Sequence, residues 1–286
     1  MNKIICILLF VNLFYLKSSS QKIINIVKIV SSGDYTNPII SPDGKRLLLT
    51  KSNFKGVYIY EIKSKKITEA SNKVGSGYGY SWSPDSKMVY FKEKNQDDYV
   101  KNSFVKSYNL NSKIYKNHPE INHNYINQFV SAKNIDEVVV YTNPTSLKIE
   151  ARKLNSAKSW IITNDEGSFY NAILSNDKKS VIVHKGADIY LYHANGSGLI
   201  RKLGTGIATS WSRDDNYILG FLDVSKDGHE ISNSDLYFFN SRKNEVKKIT
   251  NTSTVFEMYP SFANVKNRII FSDEKSGSVF MADINF

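Results

Sequence analysis

Short apolar runs separated by turn-forming residues recur along the whole chain and predict strands rather than helices. In the two clearest copies, residues 41–44 (Ser-Pro-Asp-Gly) precede the apolar run 46–50, and residues 83–86 (Ser-Pro-Asp-Ser) precede the run 88–91. Weaker copies are anchored by Ser or Ala at positions 131, 175, 212 and 263. The average spacing of the six anchors is about 44 residues, which is the period of a four-stranded propeller blade.

This repeat predicts an all-β fold, a six-bladed β-propeller of four-stranded blades, with a seven-bladed ring as the alternative. In each unit, the bulky residue before Ser is expected to end the innermost strand and to fill the space between neighbouring blades. Pro and Asp-Gly then supply the chemistry of a tight turn. The last unit ends after its third strand, whereas residues 23–30 form a strand-like run before the first unit. We expect this run to become the outer strand of the last blade, which closes the ring and covers an exposed edge.

The N-terminal segment has the layout of a secretory signal peptide. Lys3 precedes an apolar stretch over residues 4–16, and serines stand at the −3 and −1 positions of a cut before Gln21. The pattern predicts a signal peptide over residues 1–20 and a single propeller domain over residues 21–286. The protein is then periplasmic or secreted, and it is not integral to the membrane after cleavage. Retention of the leader as an anchor is the alternative.

The charge distribution and the cysteine content limit the partners and the side-chain chemistry that the protein can use. The chain has 38 Lys and Arg against 27 Asp and Glu, a net charge of +11. The basic runs fall on separate predicted hairpins, at residues 63–66, 201–202, 242–243 and 247–248. Because they are spread around a rim rather than gathered in one patch, no nucleic-acid partner is expected. The single cysteine, Cys6, lies in the leader, so the cleaved chain has neither a disulfide nor thiol chemistry.

Three segments carry a family resemblance. Residues 37–44 (Asn-Pro-Ile-Ile-Ser-Pro-Asp-Gly), 80–85 (Tyr-Ser-Trp-Ser-Pro-Asp) and 259–262 (Tyr-Pro-Ser-Phe) resemble the TolB-type β-propeller repeat. The resemblance implies a periplasmic or extracellular binding role through the faces of the disc. It leaves no residues for the α/β domain of TolB or for the hydrolase domain of prolyl oligopeptidases, and the chain lacks a Gly-x-Ser-x-Gly nucleophile elbow. A stand-alone propeller is therefore expected.

Two classes of function fit this architecture, since a repeat fold does not fix an activity. The favoured interpretation is an exported, non-enzymatic binding or scaffold propeller that recognises a protein, peptide or glycan through the loop face at the central channel. The alternative is a metal-assisted glycan lyase or hydrolase with its site at the channel mouth. Metal analysis of the purified protein distinguishes the two.

Tyrosines mark the connections that lead from an outer strand to the next inner strand. Five of the six connections carry them, and they are expected to ring the channel mouth on one face of the disc. Tyrosine is enriched in binding sites because it combines a large apolar surface with a hydroxyl group. Packing between blades is the alternative role. The candidate binding residues are Tyr35, Tyr78, Tyr80, Tyr125, Tyr170 and Tyr259.

One loop offers a candidate cation site. Asp223, Ser225 and Asp227, followed by Gly228, resemble the start of a Ca²⁺-binding loop, in which oxygen ligands alternate before a glycine. The twelfth position is Ser234 instead of an acid, and a solvated polar loop is the alternative. No other cofactor is expected, because no pair of histidines has a convincing ligand spacing.

Overall fold

The computed structural model describes residues 22–31, 33–94, 103–125, 138–154, 156, 158–228, 230–263 and 267–285. Within these residues, antiparallel strands form six sheets. The sheets are the blades of a six-bladed β-propeller, which confirms the predicted fold class and excludes the seven-bladed alternative. The predicted signal peptide and residue 21 lie outside the described residues. No helix in the described part of the chain has the length and hydropathy needed to cross a membrane.

The first three blades follow one another along the chain. Blade 1 consists of β2 (Tyr35–Ile40), β3 (Arg46–Lys51), β4 (Lys55–Glu61) and β5 (Ile67–Ser71). Blade 2 consists of β6 (Tyr80–Trp82), β7 (Met88–Lys94), β8 (Ser103–Asn109) and β9 (Tyr115–His118). The described strands of blade 3 are β10 (Val138–Thr142), β11 (Ile149–Lys153) and β12 (Ser159–Ile161). The predicted anchor of blade 3 at position 131 lies outside the described residues.

The remaining blades complete the ring. Blade 4 consists of β13 (Tyr170–Leu174), β14 (Ser180–Lys185), β15 (Asp188–His193) and β16 (Leu199–Thr205). Blade 5 consists of β17 (Ile207–Trp211), β18 (Tyr217–Ser225), β19 (Ile231–Asn240) and β20 (Val246–Lys248). Blade 6 consists of β21 (Glu257–Phe262), β22 (Arg268–Asp273), β23 (Ser278–Asn285) and, as its outer strand, β1 (Lys22–Val30).

The N-terminal strand closes the ring as predicted. Strand β1 pairs antiparallel with β23, with Lys22 opposite Asn285 and Val30 opposite Val279. The hydroxyl of Tyr60 in blade 1 donates a hydrogen bond to the carbonyl of Ile29 at 2.9 Å, which ties β1 to the first blade. The edge of β23 is thereby covered by another strand rather than left open.

The Ser-x-Asp turns have one repeated hydrogen-bonding pattern. The serine hydroxyl donates to the aspartate at 2.6–2.7 Å, and the same carboxylate accepts the backbone N–H two residues later. In the second of these turns, the bonds from Ser83 and from the N–H of Lys87 lower the pKa of Asp85. A left-handed residue follows each aspartate. The four turns contain Ser41 with Asp43, Ser83 with Asp85, Ser175 with Asp177, and Ser212 with Asp214.

Neighbouring blades are joined by the tryptophans that precede two of these turns. The indole N–H of Trp82 donates to the carbonyl of Ile39 at 3.2 Å, and that of Trp211 donates to Ile173 at 3.1 Å. The tryptophan before the anchor serine therefore reaches the innermost strand of the preceding blade, as expected. The apolar core is accordingly divided among the seams between blades rather than gathered in one centre.

Candidate functional site

One end of the ring collects the connections that lead from outer to inner strands. Because strand direction alternates within a blade, the hairpin between the second and third strands lies at this same end. Three short 3₁₀ turns of the described residues occupy it: Ser52–Phe54 between β3 and β4, Ser76–Tyr78 before β6, and His123–Tyr125 between β9 and β10. The candidate tyrosines were predicted to lie on this face, because they occur in the connections from outer to inner strands.

Four aromatic side chains from four different blades meet at this end, and we call them the aromatic cluster. The ring centroids of Tyr78 and Phe54 are 4.4 Å apart, those of Phe54 and Tyr259 are 6.1 Å apart, and those of Tyr259 and Phe221 are 5.1 Å apart. These spacings are typical of favourable aromatic pairs. Phe221 is buried, whereas 67% of Tyr78 is exposed. One end of the cluster is therefore buried in the protein and the other end faces solvent.

The local backbone explains how Tyr259 reaches the cluster. The innermost strands β2, β13 and β21 share a bulge. In each of them the pairing register shifts after the first or second residue of the strand. The bulged residue is left-handed in each, with φ of 51° at Asn37, 50° at Asn171 and 48° at Tyr259. Asparagine tolerates this conformation, whereas a bulky tyrosine adopts it at a cost. Backbone strain of this kind is concentrated at functional sites.

Charged groups flank the cluster on two sides. The ammonium of Lys92 lies 5.3 Å from the centre of the Tyr78 ring, within the range of a cation–π interaction. Burial lowers the pKa of His123, and the charge of Lys92 lowers it further. On the other side, burial raises the pKa of Tyr259 to about 12, with a contribution from the charge of Glu274. The aromatic surface therefore lies between a cationic edge and an acidic edge.

The predicted tyrosines occupy different environments. Tyr78 and Tyr259 are brought together through Phe54. Tyr35 and Tyr80 are buried: Tyr35 packs edge-on against Tyr58 at 5.4 Å, and the Tyr80 hydroxyl donates to the carbonyl of Asn37. These two side chains serve the packing of blade 1 against its neighbours.

Tyr170 and Tyr125 complete the predicted set. Tyr170 is 40% exposed on blade 4, where its hydroxyl donates to the carbonyl of Gly186 at 2.8 Å. Tyr125 lies in the 3₁₀ turn His123–Tyr125, and its side chain is outside the described part of the structure. Phe54, Phe221 and Lys92 were missed at the sequence level, because none of them belongs to the repeated pattern.

The candidate calcium residues lie at the end of strand β18 and in the turn that follows it. Asp223 and Ser225 end strand β18, and Asp223 pairs across the sheet with Ser234. The Ser225 hydroxyl donates to Asp227 at 3.1 Å and accepts the N–H of Gly228 at 2.8 Å. Calcium binding by these residues stays a prediction, and calorimetric titration with Ca²⁺ tests it.

Several groups suited to enzyme chemistry are used structurally. The imidazole of His118 lies 2.8 Å from both the Ser107 hydroxyl and the Glu120 carboxylate, the geometry of a catalytic triad. Ser107 is completely buried, so it cannot meet a substrate. His184 is also buried and accepts the N–H of Ala208 at 2.9 Å. Among the described residues, no three His, Cys, Asp or Glu side chains converge as a metal site.

Six blades, a ring closed by the N-terminal strand and repeated Ser-x-Asp turns define a six-bladed β-propeller. No protein-family model and no characterised protein sequence matches the chain. Among solved structures, it is similar to a protein assigned as TolB from Agrobacterium tumefaciens, with a TM-score of 0.54 and 12% identity over 93% of this chain and 99% of that one.

Two further structures extend the comparison. The β-propeller domain of Cps50 (Swd1) from Myceliophteria thermophila has a TM-score of 0.50 and 8% identity, over 93% of this chain and 100% of that one. TolB from Acinetobacter baumannii is 15% identical with a TM-score of 0.38, and the match covers 88% of this chain but 56% of that protein. At these identities the likeness concerns the fold alone.

Proposed function

We propose that this protein is a non-enzymatic binding propeller that recognises a protein or peptide partner through the aromatic cluster. The observation that carries the proposal is the exposure of Tyr78, 67% of which faces solvent while its ring rests on Phe54. A large aromatic group held rigidly in solvent costs little conformational entropy on binding and offers a substantial apolar surface. The cationic and acidic edges beside it supply polar contacts at the rim of such an interface.

We also propose that the protein is exported, with residues 1–20 as a cleaved signal peptide and residues 21–286 as the propeller domain. The support is the order of Lys3, the apolar stretch 4–16 and the serines before Gln21. N-terminal sequencing of the protein recovered from the extracytoplasmic fraction tests this proposal. A protein that begins at Met1 and sediments with membranes would instead be a retained anchor.

Partner capture with matched variants tests the binding proposal. Wild-type protein and Tyr78→Ala are cross-linked in the native envelope, and the captured proteins are compared by mass spectrometry. Leu199→Ala is the control, because Leu199 is 47% exposed on the outer strand of blade 4. We expect Tyr78→Ala to lose a partner that wild type and Leu199→Ala both retain, with unchanged melting temperature.

Equal capture by all three proteins would exclude the aromatic cluster as the binding surface. Stoichiometric Mn, Zn or Ca retained through dialysis would support the enzymatic alternative or calcium binding by the loop of Asp223, Ser225 and Asp227. Tyr170→Ala, tested in parallel, shows whether the surface extends to blade 4.

A further inference from the structure

The outer seam between blades 1 and 2 contains two adjoining cavities. The first has a volume of about 150 Å³ and is lined by residues of β4, β5 and the hairpin that follows β8. The second, of about 240 Å³, is lined by the end of β5 and by residues of β7, β8 and β9. Thr68 lines the first and Glu69 lines the second, so the cavities follow one another along β5.

An aromatic floor joins the two cavities. Tyr108 lines the first, Tyr115 lines the second, and their ring centroids are 4.9 Å apart. The segment from Lys66 to Asn72 forms one wall, and an extended segment of this length spans about 20 Å at roughly 3.3 Å per residue. The cavities therefore form one groove that accommodates about six extended residues; we call it the seam groove.

The two ends of the seam groove differ in charge. The first cavity is lined by Arg46, Lys66 and Lys113, with Glu61 as its acid. Arg46 is 3.6 Å from Asp43 and 3.9 Å from Glu61, which are long ion-pair distances.

The other end of the seam groove is acidic. Glu69 and Glu93 line the second cavity together with Lys106. Glu93 is buried, and its carboxylate accepts from the Lys106 ammonium at 2.7 Å and from the Ser71 hydroxyl at 2.8 Å. Glu69 is exposed and supplies the acidic charge of this end. Both glutamates also raise the pKa of Tyr115, after the larger effects of burial and of Tyr108. A cationic end, an aromatic middle and an acidic end thus follow one another along β5.

We propose that the seam groove binds an extended peptide segment of a partner protein, acidic at the end that lies over Arg46, Lys66 and Lys113 and basic at the end that lies over Glu69. Complementary charge sets the orientation of the segment, and contact with Tyr115, 47% exposed, holds its middle. The seam groove ends beside the 3₁₀ turn that carries Tyr78, since the Ser71 hydroxyl lies 3.2 Å from that of Ser76. None of the residues that line the groove belongs to the aromatic cluster.

A random heptapeptide library displayed on phage is the probe. It is screened against the purified protein and, separately, against the double variant Lys66→Glu/Lys113→Glu. We expect the wild-type protein to select peptides with acids at one end and bases at the other. Synthetic copies should bind wild type at least tenfold more tightly than the double variant by fluorescence anisotropy. The double variant should select peptides without the acidic end.

The matched control is Lys158→Glu/Lys243→Glu, which makes the same change of charge on hairpins of blades 3 and 5. All four lysines are exposed, so neither double variant should change the melting temperature. Binding to the control and to Tyr78→Ala should stay within twofold of wild type. Failure to enrich peptides, peptides without the two-ended pattern, or equal loss of binding in both double variants would overturn the proposal.

Discussion

Among single residues, Glu257 combines deep burial with incomplete hydrogen bonding. It begins β21 and is 2% exposed. One carboxylate oxygen accepts the Thr252 hydroxyl at 2.9 Å, whereas the other is buried without a hydrogen-bond partner among the described residues. Burial raises the pKa of Glu257 to about 7, and the charges of Asp235 and Asp273 also raise it. The folded protein therefore favours the neutral carboxyl group.

This raised pKa predicts a loss of stability as the pH rises. A carboxyl group that ionises at about 4.5 when unfolded and at about 7 when folded weakens the fold progressively between these two values, and the loss levels off above the folded value. Glu257→Gln removes the charge, so its stability relative to wild type should improve by up to about 3 kcal/mol between pH 5 and pH 8. Urea unfolding at both pH values measures the difference.

Glu245→Gln, on an exposed hairpin of blade 5, is the control and should follow the wild-type profile. Parallel pH profiles for wild type and Glu257→Gln would show that the buried carboxyl group does not ionise differently on folding.

Side-chain burial at the residue scale was not predictable from the repeat. Tyr35 and Tyr78 occupy comparable positions before their anchor serines, yet Tyr35 is 7% exposed and Tyr78 is 67% exposed. Strand β2 already includes Tyr35 and carries a bulge at Asn37, whereas β6 begins only at Tyr80. A bulge changes which face each preceding residue occupies, so counting positions cannot assign the inward face.

At the scale of elements, the Ser-x-Asp turns act as connectors between blades as well as chain reversals. The carboxylate of Asp215 accepts the N–H groups of Asn176 and Asp177, both at 2.9 Å, from the turn of the preceding blade. In the seam between blades 1 and 2, the Ser86 hydroxyl accepts the N–H of Asp43 at 3.0 Å. The left-handed residue of one turn thus caps the turn before it.

These caps predict a graded effect of mutation. Asp215→Ala leaves the backbone N–H groups of Asn176 and Asp177 without this acceptor, whereas the Asn176 amide keeps its bond to the Ser212 carbonyl. The substitution should cost about 2 kcal/mol. Ser86→Ala removes one acceptor and should cost about 1 kcal/mol. Chemical denaturation measures both. Equal losses would contradict the role of the carboxylate as a connector.

The turns could be predicted because their chemistry is local, and the cluster could not because its parts are distant in sequence. The hydrogen bonds of each turn join residues only a few positions apart, so the residue types that form the turn can be recognised in the sequence. Phe54 and Tyr259 meet only because the ring brings blades 1 and 6 together. The same holds for Tyr108 and Lys66 in the seam groove.

At the scale of the whole molecule, closure by β1 predicts that the ring depends on its first strand. Deleting residues 22–30 exposes the edge of β23 and removes the bond from Tyr60 to Ile29. The melting temperature should fall by about 10 °C or more, since each kcal/mol shifts it by roughly 2–4 °C in a domain of this size. Tyr60→Phe, which removes the single bond, is the control and should shift it by a few degrees at most. A truncated protein that melts within about 2 °C of wild type would contradict the role of β1.

The pairing of β1 with β23 also governs the order of folding. Lys22 and Asn285 are partners in one ladder although they are nearly the whole chain apart. Contacts of such long sequence separation carry a large loop-closure entropy and slow the folding of β proteins. Among the described strands, β1 is synthesised before all the others and its partner β23 after them, so blades 1 to 5 can assemble while blade 6 waits for β23. The closing pair is therefore a late step of folding, and until it forms both strands expose edges that other chains can pair with.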